Sequence, residues 1–99
     1  MIHSVFERFG GTAEQISGGW WPGDAEYPHP AFYAYAWPKP GGVERASILP
    51  TGAAWNITIG EFLLPCAFAQ ASGDPPAVIL EFLRSTSNVG ARMLAGRAI

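Results

Sequence analysis

Charge is scarce in this chain. Six basic and eight acidic residues stand among 99, giving a net charge of −2 with His neutral. The charged fraction is 14%, against roughly 25% in an ordinary soluble domain. Six scattered cations make no phosphate-neutralising patch, so the composition argues against a nucleic-acid module. Cysteine is nearly absent as well. Cys66 stands alone, which excludes a disulfide scaffold and a multi-cysteine zinc site. The apolar runs are only a few residues long, far below the 18 or so that a membrane span needs. Met1-Ile2-His3-Ser4 has neither the basic start nor the apolar stretch of a secretory signal. No membrane role is expected, cytoplasm is the default location, and a lone reduced thiol fits it.

Hydrophobic residues make up 48% of the chain and aromatic ones 13%, with four Trp. That excludes a disordered polypeptide, which needs low hydrophobicity and high charge. A folded chain of this mass exposes about 5,500 Å², so each charge would serve roughly 390 Å². Large continuous apolar patches usually mark interfaces. The charge deficit therefore points to hidden surface: a contact with another copy or with a protein partner. The alternative is a compact domain rich in Gly and Pro that is merely poor in charge.

Twelve Gly and nine Pro punctuate the sequence and limit helix to one place. Residues 2–9 read as a strand ended by Gly10-Gly11. A second short strand spans 14–21, closed by the turn Pro22-Gly23-Asp24. The segment from Ala31 to Trp37 is the clearest strand. Its alternation puts Tyr33, Tyr35 and Trp37 on one face and Phe32, Ala34 and Ala36 on the other. Large residues on one side and small ones on the other suggest two faces packed at different distances. Residues 44–49 read as another strand before Pro50. Trp55, Ile57 and Ile59 alternate with Asn56 and Thr58 as a half-buried strand. Glu61 to Leu64 reads either as the next strand or as a turn into a short helix beginning at Pro65.

The helix begins at Asp74, a good N-cap followed by a proline suited to the first helical position. Ile79, Phe82, Leu83, Thr86, Val89 and Met93 form its apolar stripe, opposite Glu81, Arg84, Asn88 and Arg92. Gly90 weakens its last turns by about 1 kcal/mol relative to Ala, and Gly96 reads as its stop. Several strands followed by one terminal helix predict an α+β fold: a small antiparallel sheet of four or five strands with one amphipathic C-terminal helix packed on it.

Few residues offer chemistry. His3 and His29 are the only histidines, and no His, Cys and carboxylate group has metal-ligand spacing, so neither metal nor cofactor is expected. His29 lies between two prolines in a loop and reads as solvent-exposed. Cys66 would need a helix N-terminus or a His partner to be a nucleophile; a buried, inert thiol is the better reading. Glu61, inside an apolar stretch, is either a desolvated carboxyl with a raised pKa or a structural carboxylate at a strand edge. The densest feature is aromatic. Trp20 and Trp21, with Tyr33, Tyr35 and Trp37, would stack on a flat ligand or fill a core or interface.

Six segments taken in order carry a resemblance. They are Arg8-Phe9-Gly10-Gly11, Ile16 to Gly23, Pro30 to Pro40, Gly60 to Pro65, Asp74-Pro75-Pro76 and Leu80 to Thr86. The chain resembles the C-terminal part of a bacterial family, domain of unknown function family 5996. The resemblance covers nearly the whole chain but only the last third of a typical member. It implies that residues 1–99 are a single small domain, and it transfers no activity, cofactor or catalytic residue. The family tends to have His where Ala13 stands, Tyr where Cys66 stands, and Tyr-Glu where Ser87-Asn88 stands. It also has a longer end.

Two functions are therefore expected. The first is a non-catalytic interaction or structural piece that self-associates or docks on a partner. The second is a small-molecule-binding module or degenerate enzyme, with a pocket lined by Trp20, Trp21, Tyr33 and Tyr35 and Glu61 as its polar group. The second requires those side chains to converge on one concavity.

Overall fold

A computed structural model describes the backbone of residues 4–8 and 14–97. The element order is β1 (Ser4–Arg8), β2 (Gln15–Trp21), β3 (Ala31–Trp37), a 3₁₀ turn (Val43–Arg45), β4 (Ala54–Asn56), β5 (Glu61–Pro65), α1 (Cys66–Ala71) and α2 (Pro75–Arg97). The five strands form one antiparallel sheet in the order β1-β2-β3-β5-β4. His3, Phe9, the Gly10-Gly11 pair expected to end the first strand, and Ala13 lie outside the described residues.

The alternation along β3 decides which face the helix covers. Phe32, Ala34 and Ala36 face α2, and the small alanines let it approach closely. The main core lies there: Ala34, Val43, Phe62, Leu64, Phe82 and Val89 are all buried in one cluster. Ile16, Ala36 and Leu94 continue it towards the far end of the helix. The expected stripe of α2 is the face that packs, and Glu81, Arg84, Asn88 and Arg92 are exposed on the other side. Thr86 belongs to the buried stripe because its hydroxyl donates to the Phe82 carbonyl at 2.8 Å, which satisfies a group that would otherwise be costly to bury.

Gly90 has a packing reason that periodicity does not show. A Cβ at this position would come within 3.2 Å of Ile16 Cγ1 and 3.3 Å of Ala36 Cβ. The helix touches the sheet here, and it continues past Gly96 to Arg97 rather than stopping there. Asp74 begins α2 as expected, its carboxylate accepting from the Ala77 N–H at 3.3 Å.

Three expectations are corrected. Residues 44–49 are not a strand. Ala46 and Ile48 do turn inward while Ser47 and Leu49 are exposed. The segment packs beside α2, however, and the Leu49 N–H donates to Ser85 Oγ at 2.9 Å instead of to a sheet neighbour. The strand expected through Ile59 ends at Asn56. Asn56 Oδ1 accepts from the N–H groups of Thr58 and Ile59 at 3.0 and 2.9 Å, and Gly60 adopts φ +80. The side chain thus offers the backbone a turn in place of the ladder, and Ile57 projects at its tip, 89% exposed. Helix is not confined to one place either. Glu61–Pro65 is a strand and Cys66–Ala71 a short helix directly after it, so both alternatives for that stretch occur in succession.

Candidate functional site

The sheet face away from α2 is only partly covered. Residues that pair across antiparallel strands share a face, and the register pairs Trp21 with Ala31 and Tyr33 with Leu63. Glu61 lies two residues before Leu63, so it joins the same face. Ala31, Tyr33 and Leu63 form its buried floor, with Trp21, Tyr27, Tyr35 and Ile59 packed around them. The rings are ordered in pairs. Tyr33 and Tyr35 stack with centroids 6.3 Å apart, and Trp21 stacks on Tyr27 at 5.8 Å.

Two loops wall this floor. The first joins β2 to β3. Its Asp24 Oδ1 accepts from the N–H groups of Glu26 and Tyr27 at 2.8 and 3.0 Å, which holds a bend over residues 25–27, just past the turn expected at Pro22-Gly23-Asp24. Gly23 has φ +94, and a Cβ there would lie 2.6 Å from the Tyr27 and His29 carbonyl oxygens, so only glycine fits. The second is the Asn56–Gly60 turn, which brings Thr58 and Ile59 over the sheet. Together floor and walls enclose an open concavity of about 480 Å³, bordered by Trp21, Tyr33 and Tyr35 and by Asp24, Glu26 and Glu61.

Of the five residues picked out in sequence, four meet here: Trp21, Tyr33, Tyr35 and Glu61. Trp20 does not. It pairs with Phe32 and so belongs to the helix-covered face, because successive strand residues alternate. Asp24, Glu26, Thr58 and Ile59 were not foreseeable as site residues, since loops bring them in. Cys66 opens α1 and is half-buried rather than buried. His29 is exposed, edge-on to Tyr27 at 5.7 Å. Among the described residues no group of His, Cys, Asp and Glu could hold a metal ion, and no helix is long and apolar enough to cross a membrane.

A family model described as a family of unknown function (DUF5996) matches residues 2–96. The chain belongs to that family. No curated protein and no solved structure matches it. The electrostatics of the DUF5996 chain are uneven across the sheet. Lys39 pairs with Glu44 at 3.7 Å and sits 5.3 Å from the centroid of the Trp55 ring, which packs with the helix-side core. Arg84 and Arg92 lie on α2. No described Lys or Arg borders the concavity, which three carboxylates share.

Glu61 is half-buried, and burial pushes its carboxyl up from the ordinary value, because a poorly solvated site disfavours the charged form. The native state therefore holds this proton more tightly than the unfolded chain. The resulting stability is fully present below the unfolded Glu pKa of about 4.3 and is lost as pH rises through the native value. Glu61→Gln removes that dependence. Urea midpoints measured across acidic to neutral pH should show the parent losing stability relative to the variant as pH rises. Glu44, held low chiefly by a backbone hydrogen bond, titrates in both chains and cancels. A difference that stays flat across this range would show that Glu61 is solvated as in the unfolded chain.

Proposed function

We propose that this DUF5996 chain is a small-molecule-binding module whose site is the open sheet face. The observation that carries this reading is convergence: Trp21, Tyr33, Tyr35 and Glu61 come from three strands to one concavity. Its volume of about 480 Å³ falls within the ~300–1,000 Å³ of ordinary ligand sites. Flat rings beside a few polar groups are what such sites use to hold and orient a ligand. The test is a fragment screen on the full chain by ¹H–¹⁵N NMR, with neutral, anionic and cationic compounds. Binders should shift the amides of Trp21, Tyr33, Tyr35 and Glu61. Shifts confined to Ile16, Leu83 and Ser87, which line a separate groove of about 320 Å³ between β2 and α2, would overturn the reading, as would a screen without binders.

A second reading, association with another copy of the chain, is favoured by a different surface. Leu49 and Leu80, 53% and 45% exposed, border one depression beside α2 in a chain with little charge. Light scattering after size exclusion should then give twice the chain mass, lowered by Leu80→Glu. A single-chain mass at high concentration would contradict it.

A further inference from the structure

We propose that the open-face site takes a small organic cation of the alkylammonium or guanidinium type, its charge among Asp24, Glu26 and Glu61 and its carbon body against Tyr33, Tyr35 and Trp21. This rests on the reading of that face as a ligand site and adds the chemistry of the ligand.

The first ground is charge. Three of the eight acidic residues border one concavity, and no described basic residue does. Among the described residues, no hydrogen bond or ion pair engages the Glu61 carboxylate. An anionic ligand would meet three like charges.

The second ground is the floor. The face of an aromatic ring carries negative charge density and attracts cations, a preference that grows as water is excluded. Tyr35 and Trp21, both half-buried, border the concavity beside the carboxylates, and the buried Tyr33 lies beneath them, stacked on Tyr35. A ligand with a charged head and an apolar body satisfies both components at once; a neutral ligand leaves the carboxylates without a counter-charge.

The third ground excludes the simplest cation. The acidic residues are not gathered as metal ligands among the described residues, and one oxygen of Asp24 is already committed to the loop backbone. Carboxylates spread around a rim suit a cation with bulk better than a bare ion, which needs several oxygens at one point.

Three compounds of one shape separate charge from size: choline, neutral 3,3-dimethyl-1-butanol and anionic 3,3-dimethylbutanoate, with methylguanidinium as a second cation. The full chain is titrated with each at neutral pH, and the amides of Trp21, Tyr33, Tyr35 and Glu61 are followed by ¹H–¹⁵N NMR. At least one cation should shift them in a saturable way, with the alcohol at least about tenfold weaker and the anion without effect. Glu61→Gln and, separately, Tyr35→Leu should each weaken the binding cation several-fold. Thermal melts of both variants establish that they are folded, and each carries the test if the other fails to fold. If the alcohol binds as well as choline, or neither cation shifts these amides while other fragments do, the cation assignment fails and the ligand site stands. If no compound of any charge binds there, both fail.

Discussion

Phe82→Ala is expected to lower the stability of the domain by about 3–5 kcal/mol. Phe82 is the largest fully buried side chain described, 0% exposed at the centre of the helix–sheet core. Removing its ring loses transfer free energy and leaves a void that the flanking Leu64, Phe62 and Val89 only partly close. A domain of this size has about 5–15 kcal/mol in total, so the loss is a large share of it. At about 4–8 °C per kcal/mol, the melting temperature should fall by tens of degrees. Urea unfolding monitored by circular dichroism measures the change, and a loss under about 1 kcal/mol would mean that the helix is not seated on the sheet as described.

Gly90→Leu is expected to lower stability by about 1–3 kcal/mol, although leucine is the better helix former. In isolation, replacing a mid-helix glycine gains about 1 kcal/mol. Here the added side chain must enter the space held by Ile16 and Ala36, with Cβ alone already 3.2 and 3.3 Å from them. The end of Ile16 can turn aside, whereas the Ala36 Cβ is fixed to the sheet backbone. Gly90→Ala is the matched control. Its propensity gain and its tight contact nearly offset each other, so it should change stability by less than about 1 kcal/mol. A leucine variant more stable than the parent would show that α2 stands further from the sheet.

The elements read most easily in the sequence are those whose own pattern is also their packing pattern. β3 alternates large and small residues because its two faces meet different things, rings on one side and a helix on the other. The stripe of α2 is legible for the same reason. Residues 44–49 and 57–59 also alternate, but a hydrogen bond from Leu49 to Ser85, 36 positions away, and the short-range bonds of Asn56 draw them out of the sheet. Alternation records which side chains turn inward, and it does not say whether the neighbour is a strand.

The candidate site shows the same boundary. Tyr33 and Tyr35 are two residues apart on one strand, so their common face follows from geometry alone. Trp20 and Trp21 are adjacent, so only one of them can join that face; which one depends on register, which β2 acquires only by pairing with β3. Glu61 is conspicuous in sequence as a charge in an apolar run. Its acidic companions Asp24 and Glu26 sit in an ordinary-looking loop and become site residues only because Gly23 and the Asp24 side chain fold that loop over the sheet. The charge deficit of the whole chain is likewise sharpened by the structure: three of the eight acidic residues border one concavity that no described Lys or Arg borders.

The most direct measurement is of nuclear Overhauser contacts between the protein and the methyl protons of whichever cation binds, choline or methylguanidinium, in a sample saturated with it. Contacts to the ring protons of Tyr33, Tyr35 and Trp21 are the predicted result. Contacts to Leu83 and Ile16 in the helix–sheet groove, or none to any of the three rings, would contradict the account.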